Sequence, residues 1–292
     1  MATTQIALLK KYGLPVRGVS GQHLLVDPNI QRKIVEVLNP RPKEWILEIG
    51  PGLGALTAAI LAEGALVVAV EKDRRFCEIL EGELGAEYEG RFWVENEDIL
   101  KSDPKKLLAR FRQATKKAAQ KPSKAKVVSN LPYYITAPVL FWLVDHRAQI
   151  EKAVLMMQRE VADRLLAQPG DKDYSRLTLG VRYYADVHRA FNVSRHCFTP
   201  VPKVDSSVVT LEFHPASTFP KGIDEKFLFH VIQVAFGARR KTLLNRLSHD
   251  SQIGRSREEL VKILKDLGIP ETARGEDLLL KDFISLTERL QK

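Results

Sequence analysis

Hydrophobic positions along this chain fall into two regimes. From residue 45 to residue 145, short apolar and β-branched runs alternate with stretches whose apolar positions recur every three or four residues. Short runs read as strands and the longer periodic stretches as helices. "WILEIG" (45–50), "LVVAVE" (66–71), "RFWVENED" (91–98) and "KVVSNLPY" (126–133) predict four strands. "LTAAILAEG" (56–64) and "RRFCEILEGEL" (74–84) predict helices between them, the first stopped by Gly64. Such alternation requires crossover connections, which are right-handed, and so gives a parallel sheet. Farther on, "AVLMMQ" (153–158) and "SSVVTLEF" (206–213) predict two more strands, and "REVADRLLAQ" (159–168) a helix ended by Pro169-Gly170.

The second regime begins after residue 214. "HPASTFPKG" (214–222) has the composition of a linker. Beyond it, "DEKFLFHVIQVAFGARRKTLLNRL" (224–247) and "REELVKILKDLG" (257–268) keep helical periodicity without a strand signal. The expected organisation is an α/β domain over residues 1–215 and a small all-helical domain over 216–292.

Composition narrows the function classes. The 292 residues are 45% hydrophobic, enough for one large core and a smaller one. No run of about 18 apolar residues occurs, so no membrane span is expected. The start, "MATTQIALLKKYGLPV", lacks the layout of a signal peptide. Cys77 and Cys197 are the only cysteines and sit in no His/Cys cluster. That pattern disfavours a disulfide framework or metal site and fits a cytoplasmic protein. The net charge is +9, and residues 100–126 hold ten Lys/Arg against one acid, Asp103. So concentrated a field suits a polyanionic partner such as nucleic acid. A solvated insertion is the bland alternative.

Chemistry concentrates at the expected ends of the strands. "EIGPGLG" (48–54) follows the first strand and opens a helix. Gly50, Gly52 and Gly54 let the backbone adopt positive φ and approach a ligand closely. Glu71 ends the second strand, where a carboxylate can accept bonds from ribose hydroxyls. The GxGxG spacing, led by Glu48, fits S-adenosylmethionine (SAM) better than a dinucleotide, which usually takes GxGxxG. Asp98 ends the third strand and can accept from an adenine amine; a helix N-cap is its plainer role. Asn130 closes the fourth. Its side-chain oxygen and the Leu131 carbonyl form an acceptor pair for an aromatic amine. Both N–H bonds would be held and the nitrogen lone pair freed for methyl transfer. Pro132 stiffens this turn, and Tyr133 offers a stacking face.

At these residues the chain resembles the ribosomal RNA adenine N6,N6-dimethyltransferase family, most closely its bacterial small-subunit type, linked to kasugamycin sensitivity. The resemblance also covers "GQHLLVDPNI", "MMQREVADRL", "FTPVPKVDSSVV" and "FGARRKTLLNRL". It implies a Rossmann-like SAM-dependent methyltransferase domain followed by a helical domain. It implies dimethylation of two adjacent adenines near the 3′ end of small-subunit rRNA, on the ribosomal subunit or its precursor, without a metal and by a monomer. SAM contacts are implied at His23, Leu25, Gly50, Gly52, Glu71, Asp98 and Asn130. The family usually carries Gln-Asn-Phe-Leu where this chain has Gln22-His23-Leu24-Leu25. Phe198 is implied to stack on the target adenine opposite Tyr133. In "FGARRKTLLNRL", Phe236, Leu243 and Leu247 fall on one helical face, a packing stripe, while Arg239, Thr242 and Arg246 share another that can meet phosphates. Lys203, Arg240 and Lys241 are expected to join them in holding RNA. Two rivals share these features: a large-subunit dimethyltransferase of the macrolide-resistance type, and an rRNA-binding assembly factor without essential catalysis.

Overall fold

The computed structural model describes residues 5–14, 23–115, 124–220, 222–238 and 240–292. Its strands, in chain order, are β1 (Leu24–Leu25), β2 (Trp45–Ile49), β3 (Leu66–Glu71), β4 (Phe92–Asn96), β5 (Ala125–Asn130), β6 (Ile150–Gln158), β7 (Ala185–Val193), β8 (Phe198–Thr199) and β9 (Ser206–Phe213). Its helices are α1 (Gln5–Lys11), α2 (Pro28–Leu38), α3 (Ala55–Ala62), α4 (Arg74–Leu80), α5 (Pro104–Thr115), α6 (Thr136–Asp145), α7 (Arg159–Leu166), α8 (Arg176–Arg182), α9 (Glu225–Ala235), α10 (Leu243–Leu247), α11 (Arg257–Asp266) and α12 (Leu280–Leu290). None of these helices is long and apolar enough to cross a membrane.

The chain divides into two compact units. One takes residues up to Ala162 together with Asp186–Phe213; the other takes Asp163–Ala185 and His214–Lys292. The C-terminal division therefore falls close to the expected boundary at 215/216. Residues 163–185, expected in the first domain, belong to the helical unit.

The first unit is built on a seven-stranded sheet in the order β4-β3-β2-β5-β6-β9-β7. The first five of these strands are parallel, and β9 runs antiparallel to β6. Every residue of β2 is buried, as are the inner positions of β3 and β5. Strands covered on both faces read as unbroken apolar runs, which is why the sequence exposes them so clearly. By contrast, β7 alternates buried and exposed positions along "ADVHRAFNV". The period-2 signal is present in the sequence, but its polar half hides it among loops. The chain order reverses between β2 and β5. That is the switch point at which open α/β sheets bind ligands beyond the carboxyl ends of their strands.

The second unit packs helices around Leu228, Ile232, Leu243, Leu244, Leu264, Phe283 and Leu286, all buried to 1% exposure or less. Tyr184 donates from its hydroxyl to Glu225 Oε2 at 2.7 Å. The expected continuous helix over 224–247 is broken. The α9 helix ends at Ala235, a turn follows, and Thr242 restarts α10 by accepting from the Asn245 N–H at 3.3 Å. Gly237 lies where a Cβ would meet the Arg246 guanidinium, and Arg246 Nε donates to the Val234 carbonyl at 3.0 Å. The arginine adds a second donor to a carbonyl in the last turn of α9 that also accepts from the Gly237 N–H at 3.1 Å. Phe236, Leu243 and Leu247 therefore do not share the face of one helix.

Candidate active site

A cleft of about 130 Å³ opens at the carboxyl ends of β2, β3 and β5. Its lining includes His23, Leu25, Gly50, Gly52, Glu71, Asp98, Asn130, Leu131 and Tyr133. Parallel pairing explains the convergence. Ile49 is level with Val70 and with Ser129, so the next residues, Gly50, Glu71 and Asn130, emerge together.

The glycine loop turns sharply between β2 and α3. Gly50, Gly52 and Gly54 have φ of 64°, 57° and 79°. These angles are natural for glycine and strained for other residues. At Gly54 a Cβ would also lie 2.6 Å from Leu80 Cδ2, so a side chain is excluded twice over.

Two buried acids stand beneath this loop. Glu71 is 5% exposed and accepts from the N–H groups of Asp73 at 2.9 Å and Gly52 at 3.4 Å. Burial raises its pKa, while these backbone bonds favour the charged form. Glu48 is deeper, at 1% exposure, and accepts from Thr57 Oγ1 at 2.6 Å. Burial pushes its pKa up to about 7. The sequence showed Glu48 only as the acid leading the loop; Thr57, nine residues later, holds it.

Asp98 performs the cap that its sequence context allowed. Its Oδ1 accepts from the Leu100 N–H at 3.1 Å, and its Oδ2 pairs with Lys72 Nζ at 3.0 Å. The Lys72 hydrogen bond holds this carboxyl below its ordinary pKa. Leu25 is likewise engaged. Its carbonyl accepts from Gln5 Nε2 at 2.6 Å and Gln31 Nε2 at 2.8 Å, and its backbone pairs with Phe198. Gln5, Lys72 and Tyr134 also line the cleft. Nothing in the sequence pattern singled them out, because each reaches the site through the fold.

The two residues expected to accept an amine, Asn130 and Leu131, lie at the end of β5. Asn130 Nδ2 donates to the His23 carbonyl at 3.3 Å, which orients the amide with Oδ1 as its remaining acceptor. The Leu131 N–H donates to the Met156 carbonyl at 3.0 Å and fixes the adjoining peptide. Among the described residues nothing donates to Asn130 Oδ1 or to the Leu131 carbonyl. Two neighbouring acceptors without partners fit a ligand that brings two N–H groups. Tyr133 is anchored by a 3.1 Å hydroxyl contact with Ser206 Oγ. The His23 ring lies 5.7 Å from the Tyr133 ring, and His23 Nδ1 is 2.7 Å from the Pro200 carbonyl. A carbonyl can only accept, so this nitrogen carries the proton.

Phe198 corrects the expectation of a two-sided aromatic sandwich. Its ring is 2% exposed, packed in the core with Leu25, Ile34 and Leu38, and does not line the cleft. The cause is the antiparallel pairing of β8 with β1, which sets Phe198 opposite Leu25.

Placement separates the expected RNA contacts. Lys203, Arg240 and Lys241 are exposed, Arg246 is partly exposed and gives its Nε donor to the Val234 carbonyl, and Arg239 lies outside the described residues. The basic stretch is partly neutralised by acids from elsewhere in the chain. Lys126 is buried against Glu44 at 2.9 Å, and Arg110 pairs with Glu95 at 2.8 Å. Lys116, Lys117 and Lys121 lie outside the described residues. No group of three or more metal-ligating side chains occurs among the described residues.

The chain is similar to known proteins over nearly its whole length. Proteins named ribosomal RNA small subunit methyltransferase A are similar to the chain. The one from Bacillus cytotoxicus is 38% identical over 97% of the chain and 94% of the relative. One from Bacillus cereus is 37% identical over the same shares. A solved dimethyladenosine transferase from Plasmodium falciparum has a TM-score of 0.75 at 27% identity, covering 90% of this chain and 96% of that one. The solved 23S rRNA methyltransferase ErmE has a TM-score of 0.68 at 25% identity, covering 92% and 100%. The sequence model of the ribosomal RNA adenine dimethylase family matches residues 16–292, and the chain belongs to that family.

Proposed function

We propose that this protein transfers methyl groups from SAM to N6 of two adjacent adenines near the 3′ end of small-subunit rRNA, acting as a cytoplasmic monomer. The observation that carries this reading is the pair of free acceptors, Asn130 Oδ1 and the Leu131 carbonyl, beside the anchored Tyr133 ring. The relatives at 38% identity carry a small-subunit name, and the large-subunit enzyme ErmE is less similar at 25%. This difference favours the small subunit as substrate.

SAM, when bound, supplies an electrophilic methyl group. The residues fitted to hold it are Glu71 for ribose hydroxyls, the glycine loop for close approach, and Asp98 for the adenine end. Asn130 and Leu131 accept the two N–H bonds of the target amine. Their geometry favours a pyramidal nitrogen whose lone pair is free of the ring. Tyr133 holds the flipped base by its face. Rate then comes from alignment and from acceptors that need no reorganisation. The first transfer leaves a cationic nitrogen that releases one proton to solvent; the methylated amine then keeps one N–H, so one of the two acceptors suffices to orient it for the second.

The test is methyl transfer from labelled SAM to small and large ribosomal subunits lacking the modification, followed by nucleoside analysis. N6,N6-dimethyladenosine in small subunits alone is the expected result. Label confined to large subunits overturns the substrate assignment, and no label in either overturns the reaction.

A further inference from the structure

The turn after Asn130 carries two consecutive tyrosines with opposite fates. Tyr133 points its hydroxyl to Ser206 and its ring toward His23. Tyr134, next on the same 3-10 turn (Tyr133–Ile135), is 67% exposed, the most exposed large hydrophobic side chain among the described residues. It nonetheless lines the cleft, so its ring stands at the mouth and not on a remote surface. Its hydroxyl has no hydrogen-bond partner among the described residues. Lys72, its side chain 73% exposed, lines the same cleft and gives one of its three N–H donors to Asp98 Oδ2 at 3.0 Å.

Isolated exposed apolar residues are ordinary and need no function. Tyr134 differs through its position. It sits on a 3-10 turn one residue from the base-holding Tyr133, in a lining that also carries a cation with donors to spare. A flat ring and an ammonium group lining one cleft match the two chemical parts of a nucleotide, a base and a phosphate. We propose that Tyr134 stacks on the base of the nucleotide adjoining the target adenine, with Lys72 meeting the phosphate between them. The inference rests on the RNA substrate proposed above. Tyr134 thereby holds the single-stranded segment in register while one base occupies the cleft. With two adjacent adenines as targets, it receives the one awaiting or leaving modification.

The experiment compares wild type with Tyr134→Ala, Tyr134→Leu and Tyr134→Phe on small ribosomal subunits at saturating SAM. A stacked base is worth about 1–3 kcal/mol, so the Ala and Leu variants should raise KM for subunits about 5- to 150-fold, with kcat and SAM affinity unchanged. The Phe variant should restore the wild-type KM, because the ring is kept. An unchanged KM in Tyr134→Ala overturns the inference, as does a change confined to SAM affinity. Equal performance of the Leu and Phe variants also overturns it, because bulk alone would then suffice. If wild type methylates neither subunit, the proposed function fails first. Binding of hexa-adenylate RNA then decides about Tyr134 separately, and equal affinity of wild type and Tyr134→Ala overturns the stacking role.

Discussion

Replacing Asn130 by alanine removes one of the two amine acceptors and one structural hydrogen bond, and the two losses separate. The structural bond, Nδ2 to the His23 carbonyl, is 3.3 Å long and only partly buried. Such a bond contributes about 0.5–1.5 kcal/mol, so the melting temperature should fall by only a few degrees in a domain of this size. The acceptor Oδ1 has no partner in the fold, so its contribution arises only when an amine is bound. Losing one preorganised group at a transition state costs roughly 2.7–4 kcal/mol, or about 100- to 1000-fold in kcat. Single-turnover methyl transfer to small subunits measures that loss, and calorimetric titration of SAM measures the cofactor site independently. The expected outcome is a large fall in the single-turnover rate with SAM affinity within a few-fold of wild type. Asn130→Asp keeps oxygen acceptors but sets a carboxylate against the His23 carbonyl, and should lose activity through misorientation. A rate within about ten-fold of wild type in Asn130→Ala would refute the acceptor role. Loss of fold would show as a collapsed melting transition and would refute the claim that the Nδ2 bond is minor.

Glu71→Ala should weaken SAM binding about 10- to 100-fold, because a buried charged acceptor is lost, and calorimetry that finds unchanged affinity removes Glu71 from the site. Glu48 gives a pH dependence: its pKa is about 7 in the fold against 4.5 for the free side chain. Between these values the folded protein binds more protons than the unfolded one. The Glu48 contribution is therefore fully present below about pH 4.5 and is lost as pH rises through 7, by roughly 3 kcal/mol. Glu48→Gln keeps an acceptor for Thr57, so its melting temperature should exceed wild type by a margin that grows from pH 5 to pH 8; a constant difference contradicts the burial argument. Phe198→Ala should destabilise the protein by about 3–5 kcal/mol in chemical denaturation, since it empties core volume. Unchanged stability with weakened RNA binding would instead return Phe198 to the base-stacking role.

Much of the site was legible because it is local. The glycine loop, Glu71 and "NLPY" each sit at the end of a fully buried parallel strand, and such strands announce themselves as unbroken apolar runs. Parallel register then brings the ends of β2, β3 and β5 to one edge without further information. The parallel strand over 66–71 coincides with its sequence boundaries for the same reason, and the antiparallel strand over 206–213 does so through its β-branched centre. Less legible was whatever depends on partners distant in the chain. Leu25 and Phe198 are 173 residues apart and pair only in the fold, so no local pattern could show that Phe198 turns inward. The engagement of Asp98 by Lys72 and of the Leu25 carbonyl by Gln5 and Gln31 is of the same kind.

What the sequence determined by itself was the alternation of strand and helix, the parallel direction of the central strands and the chemistry at their tips. These follow from periodicity, glycine and chain direction, all of them short-range properties. Tertiary structure alone decided that residues 163–185 join the helical unit and that the helix over 224–247 breaks after Ala235. It also fixed the contrast between neighbouring tyrosines, one tied down at Ser206 and the other left at the mouth of the cleft. The physical reason is common to all three. Hydrophobic period specifies which face of an element is buried, whereas the identity of the group that covers that face, or leaves it open, is set by packing between segments far apart in the chain.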